Sequence, residues 1–108
     1  MTLLLMVFFI SASLSAVQFG TDDEKQLSIY PNPANDYLKV EFKAEKAMVP
    51  EIKIFDLTGK MIRHFDKAFI LNHEVFKADL DISDLNTGIY FVKVIQGEQT
   101  WSEKLVVQ

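Results

Sequence analysis

The sequence predicts an all-β fold: an antiparallel β-sandwich of about seven strands, preceded by an N-terminal hydrophobic signal segment. Three observations predict it. From Gln26 onward apolar residues recur with period two rather than 3.6, as in strands that bury one face and solvate the other. Turn-forming residues interrupt the chain at short intervals, at Pro31-Asn32-Pro33, Asn35-Asp36, Thr58-Gly59-Lys60, Asn86-Thr87-Gly88 and Gln96-Gly97-Glu98, where glycine is expected to supply positive φ. No long helical pattern is present and cysteine is absent, so packing rather than a disulfide framework must hold the layers. At 108 residues, 49% of them hydrophobic, the chain can build one small core but not a second catalytic domain.

The first segment differs in composition from the rest. Nothing from Met1 to Thr21 carries an ionisable side chain; all 26 charged residues lie from Asp22 onward. Leu3 to Ile10 is an unbroken apolar run, followed by Ser11-Ala12-Ser13-Leu14-Ser15-Ala16, whose small residues suit a signal-peptidase cut near Ala16. No Lys or Arg precedes the run. A spanning helix needs about 20 apolar residues, and the serines interrupt this one, so export with removal of the leader is expected rather than stable membrane insertion. The expected organisation is a signal peptide over 1–16, a short polar linker over 17–26 and a sandwich over 27–108.

Strands are expected near 27–30, 37–43, 51–56, 60–66, 74–80, 88–96 and 99–107. In the second, Leu38, Val40 and Phe42 alternate with Lys39, Glu41 and Lys43. In the third, Ile52 and Ile54 alternate with Glu51 and Lys53; in the fifth, Phe76, Ala78 and Leu80 alternate with Lys77 and Asp79. The strand over 88–96 has an inward row of Tyr90, Val92 and Val94, but Ile89, Phe91 and Ile95 are apolar too. It is expected to be central with both faces covered. Trp101 on the last strand is expected in the core. Leu85-Asn86-Thr87-Gly88-Ile89-Tyr90 places a tyrosine at the start of the most hydrophobic strand just after a turn. That is the setting of a tyrosine corner, whose hydroxyl reaches an upstream backbone group in immunoglobulin-like sandwiches.

Four motifs in a fixed order carry a resemblance: Tyr30-Pro31-Asn32-Pro33-Ala34; Ile54-Phe55-Asp56-Leu57-Thr58-Gly59-Lys60; Asp81-Ile82-Ser83-Asp84-Leu85-Asn86-Thr87-Gly88-Ile89-Tyr90; and Glu103-Lys104-Leu105-Val106-Val107. Together they are similar to the carboxy-terminal sorting domain of the type IX secretion system, of the Por secretion family. The resemblance implies a non-enzymatic, immunoglobulin-like address label at the end of exported proteins of Bacteroidetes-type bacteria. Its implied partners are the outer-membrane secretion apparatus and a surface peptidase, and its implied route is through the periplasm to the cell surface or the medium. The residues it marks for recognition or fold are Pro31, Asn32, Pro33, Asp56, Gly59, Lys60, Leu85, Gly88, Tyr90, Lys104, Leu105, Val106 and Val107. Family members commonly finish on basic residues, whereas Lys104 is the last positive charge here. Only about ten residues separate Ala16 from Leu27, so no cargo is expected between leader and label. A truncated gene, a remnant of a longer protein and a free-standing domain all accommodate that.

Other chemistries find little support. A net charge of -4 has the wrong sign for gripping phosphate backbones, so nucleic-acid binding is not expected. No cofactor is expected. His64 and His73, with Asp66 and Glu74 nearby, lack a third ligand at close motif spacing, and no metal is expected. Ser28, Ser83 and Ser102 lack the strand-to-helix turn of a hydrolase nucleophile. Asp79 and Asp81 alternate with core residues as a solvated face, Asp84 and Asn86 suit turn formation, and 81–84 lacks the glycine of a calcium loop. Lys39, Lys43, Lys46, Lys53 and Lys60 are interspersed with acids and are expected on a mixed solvated face. The alternative function is a free-standing immunoglobulin-like adhesion or carbohydrate-binding module of the cell envelope.

Overall fold

The computed structural model describes residues 25–43 and 48–108. The expected leader over 1–16 and most of the linker over 17–26 lie outside the described residues. Within them the chain forms eight strands: β1 (Leu27–Tyr30), β2 (Tyr37–Lys43), β3 (Glu51–Asp56), β4 (Met61–Phe65), β5 (Ile70–Asn72), β6 (Val75–Asp81), β7 (Gly88–Gln96) and β8 (Gln99–Val107). They make two four-stranded antiparallel sheets, β1-β2-β6-β5 and β4-β3-β7-β8. With β4 taken as the additional strand C′, these orders are A-B-E-D and C′-C-F-G, the immunoglobulin arrangement.

The alternation read from sequence becomes the inner face of each sheet. In the first, Leu38 stands opposite Leu80, Val40 opposite Ala78 and Phe42 opposite Phe76; all six are buried. In the second, Ile52 and Ile54 stand opposite Val94 and Val92, all without exposed surface. Trp101 lies half-buried against this core, its ring 4.6 Å from that of Phe42 in an edge-on contact. Phe69 links Phe42 and Phe76 at 6.4 and 5.8 Å. Offset aromatic pairs of this kind each add about 0.5–1.5 kcal/mol beyond area burial.

Three expectations are corrected. The eighth strand is the three-residue β5, too short to show an alternation; all three of its residues are exposed, and it exists because β6 offers an edge to pair with. The turn into β6 takes its positive φ (61°) from His73 rather than from a glycine. Gly59 and Gly97 do adopt positive φ, but Gly88 does not; it opens β7 with ordinary backbone, where an added Cβ would meet the Tyr90 ring at 3.9 Å. Finally, β7 is central but not covered on both faces. Its inner row of Tyr90, Val92, Val94 and Gln96 is buried, whereas Phe91, Lys93 and Ile95 stay half-exposed and Ile89 is exposed. Among the described residues no third layer packs on that side, because the chain forms only these two sheets.

Candidate functional site

The residues singled out in sequence converge on one end of the β4-β3-β7-β8 sheet. The register shows how: Asp56 stands opposite Tyr90, Tyr90 opposite Leu105, and Gly88 opposite Val107. The β3–β4 hairpin, the start of β7 and the end of β8 therefore share one end of the sheet. The Pro31–Ala34 segment joins this end from the other sheet, through a parallel bridge between Ala34 and Val107.

That bridge is built around what proline cannot do. Pro31 and Pro33 have no N–H to donate, and both of their peptide bonds are cis. Pairing to β8 falls to the residues beside them. The Asn32 side chain donates through Nδ2 to the Lys104 carbonyl (2.8 Å), and its Oδ1 accepts from the Val106 N–H (2.9 Å). One residue pair further on, Ala34 N–H donates to the Val106 carbonyl (2.8 Å) and Gln108 N–H to the Ala34 carbonyl (2.9 Å). The Asn32 amide thus acts as an extra peptide unit along the outer edge of β8. Ala34 has no exposed surface, so a methyl fills the space between the two sheets. Further along the same edge, Trp101 Nε1 donates to Gln26 Oε1 (3.0 Å) and Lys25 pairs with Glu103 (2.9 Å). Leu105 and Val107 point into the core while Lys104 is exposed and Val106 half-exposed.

Asp56 organises the hairpin beside this clamp. Its Oδ1 accepts from Thr58 N–H (2.9 Å), Thr58 Oγ1 (2.6 Å) and Lys60 N–H (3.0 Å). Gly59 N–H donates to the Asp56 carbonyl (3.0 Å), and Gly59 takes φ of 89°, the three-residue loop that pairs a type I turn with a left-handed glycine. The Thr58 hydroxyl first, then the Lys60 N–H, hold the Asp56 carboxyl below the usual carboxylate range. Asp81 repeats the device: the Ser83 hydroxyl (2.7 Å) and Ser83 N–H (2.9 Å) lower its pKa in the same way. Tyr90 forms the corner, its hydroxyl donating to the Asn86 carbonyl at 2.6 Å, with Leu85 packed against the core nearby. Asp84 forms an ion pair with Arg63 of β4.

The structure also brings together what spacing left apart. Glu51 of β3 lies 2.8 Å from His64 Nε2, and Asp66 lies 3.6 Å from it. Glu51 was missed as a third group because strand pairing, not spacing, delivers it; His73 is not part of the cluster. On the outer face of the first sheet, a shallow hollow is lined by Tyr37, Lys39, Asp79 and Asp81. Asp79 there is paired with Lys39 at 3.0 Å, and this pairing raises the Lys39 pKa. The Tyr30 hydroxyl donates to Glu41 on the same face, which raises the Tyr30 pKa. Two pairs on that face, Lys39 with Asp79 and Tyr30 with Glu41, are thus engaged with one another. What the clamp, hairpin and corner do chemically is position each other: they present a rigid end with a fixed last strand.

Residues 28–108 match the family model described as a secretion system C-terminal sorting domain. No curated protein matches the chain.

Proposed function

The chain belongs to the family of secretion system C-terminal sorting domains, and from that membership we propose that the outer-membrane machinery of the type IX system reads the end of the sandwich where the four motifs meet. The family is one of sorting signals rather than enzymes, and it implies contact with the type IX machinery and delivery to the cell surface or the medium. On our reading the leader carries the chain into the periplasm, the sandwich folds there without catalytic activity of its own, and the outer-membrane apparatus recognises it before a surface peptidase removes it.

The observation that supports this most is the convergence itself. Asn32, Asp56, Tyr90 and the Lys104–Val107 segment are far apart in sequence and meet at one end of the β4-β3-β7-β8 sheet, where Asp56, Tyr90 and Leu105 stand in one cross-strand row and Asn32 bonds to β8. Their common effect is to fix the end of β8, whose outward backbone groups are taken up by Asn32 and Ala34, as a preformed surface that a partner gripping that end would meet. A clamp made of one side-chain amide and one short backbone bridge gives that end a single geometry before docking, which lowers the ordering cost of recognition.

The test places residues 17–108 at the end of a periplasmic fluorescent reporter in a bacterium that has the apparatus. Fluorescence on the surface or in the medium is the expected result, and loss of it on Asn32→Asp in a domain that still melts cooperatively would tie export to the clamp. Retention of the unaltered fusion in the periplasm overturns the proposal.

A further inference from the structure

The two outer faces of this sandwich are built differently. On the β1-β2-β6-β5 sheet the cross-strand pairs join opposite charges: Lys39 stands opposite Asp79 and Glu41 opposite Lys77. That is a surface made to face water. On the β4-β3-β7-β8 sheet, Phe55 stands opposite Phe91 and Lys53 directly opposite Lys93, while Lys104 stands opposite Phe91 from the other side. Like charges directly opposite destabilise a sheet, so this pairing is held against a cost. Lys53, expected on a mixed face, has Glu51 beside it on β3 and Lys93 directly opposite on β7. The Lys93 ammonium lies 4.8 Å from the Phe55 ring centroid. Among the described residues none of these three lysines forms an ion pair, and the carboxylate in the β3 row, Glu51, is engaged with His64. Phe55 and Phe91 are half-exposed, and among the described residues no layer lies above them.

An aromatic pair ringed by unneutralised lysines, on a chain whose net charge is -4, is complementary to a ligand that is both apolar and anionic. We infer that this outer face docks an acidic protein segment, whose carboxylates meet Lys53, Lys93 and Lys104 and whose apolar side chain lies on Phe55 and Phe91. The inference rests on the sorting reading only for where such a partner resides, namely on the export machinery. The surface itself is tested apart from export.

The probe is a capped pentapeptide of four glutamates around a central phenylalanine, titrated into the isotope-labelled sandwich (residues 25–108, which contain both sheets and the whole described core) and followed by backbone amide shifts. Saturable shifts are expected at residues 53, 55, 91, 93 and 104 and not at 39, 77 and 79, with affinity falling as salt rises. Replacing all three cations (Lys53→Gln, Lys93→Gln, Lys104→Gln) is expected to weaken binding about tenfold, as three exposed charge contacts would allow, without lowering the melting temperature. Lys39→Gln with Lys77→Gln should leave binding unchanged. No saturable shift, equal shifts on both outer faces, or undiminished binding by the triple variant overturns the inference, as does binding to anionic phosphatidylglycerol vesicles without binding to the peptide. In the reporter fusion, export that fails for the unaltered domain counts against the sorting reading alone, since the titration decides the surface independently.

Discussion

The clamp on β8 makes a quantitative prediction. Asn32→Ala removes two hydrogen bonds, the 2.8 Å bond to the Lys104 carbonyl and the 2.9 Å bond from the Val106 N–H. A typical intramolecular hydrogen bond is worth about 0.5–1.5 kcal/mol net. Both bonds are at an exposed edge, where water can replace the lost partner, so the lower half of the range applies and the expected cost is about 1–2 kcal/mol. For a domain of this size that lowers the melting temperature by about 5–15 °C. Asn32→Asp is expected to be at least as damaging: it keeps the acceptor for Val106 but loses the donor and sets a carboxylate against a carbonyl oxygen. Amide hydrogen exchange locates the effect. The Val106 N–H, whose partner is Asn32, should lose protection, while the N–H groups of Leu105 and Val107, which face β7 by the antiparallel alternation, should exchange only as fast as global destabilisation allows. Unchanged Val106 protection in Asn32→Ala, or a melting temperature equal to that of the unaltered domain, would refute the clamp as an energetic device.

Tyr90→Phe removes only the hydroxyl that reaches Asn86 and should cost about 1–2 kcal/mol, read by urea denaturation with an unchanged slope. The two glycines of the motifs should separate. Gly59→Ala meets nothing within 4 Å but must hold a φ of 89°, costing about 1–2 kcal/mol, whereas Gly88→Ala has ordinary backbone and ordinary contacts and should leave the melting temperature unchanged or slightly raised. Phe42→Ala, at a fully buried position touching Trp101 and Phe69, should cost about 3–5 kcal/mol and leave little folded domain at 37 °C. The Thr58 hydroxyl and Lys60 N–H hold the Asp56 carboxyl, and the Ser83 hydroxyl and N–H the Asp81 carboxyl, below the usual carboxylate range. A depressed folded pKa gives stability that is complete above the unfolded value and lost as pH falls through the folded one. Acid unfolding below pH of about 4 should therefore become shallower in Asp56→Asn with Asp81→Asn, as followed by circular dichroism.

Alternation is a property of the chain taken two residues at a time, and it survives into the structure wherever a strand is long enough to display it. That is why β2, β3, β6 and the inner row of β7 lie where the periodicity puts them, and why Tyr90 makes its corner bond: the turn, the ring and the carbonyl acceptor are all within four residues. The same reasoning misses β5, because three exposed residues carry no period. It also misplaces Gly88, because a glycine after a turn does not reveal which φ the chain takes there. Asn32 was legible as part of a motif, but not as a surrogate peptide group for a strand 72 residues away.

By itself, then, the sequence determined the two-layer class, most strand positions and the order of the motifs, since each follows from local alternation and turn chemistry. Only the tertiary structure decided which residues became neighbours across strands. Strand order set Lys53 against Lys93 and Phe55 against Phe91, delivered Glu51 to His64, and gave the outer side of β7 no covering layer among the described residues. Side-chain period tells a residue which face of its own strand it occupies; what stands beside it, and whether anything lies above it, is fixed by pairing between segments distant in the chain.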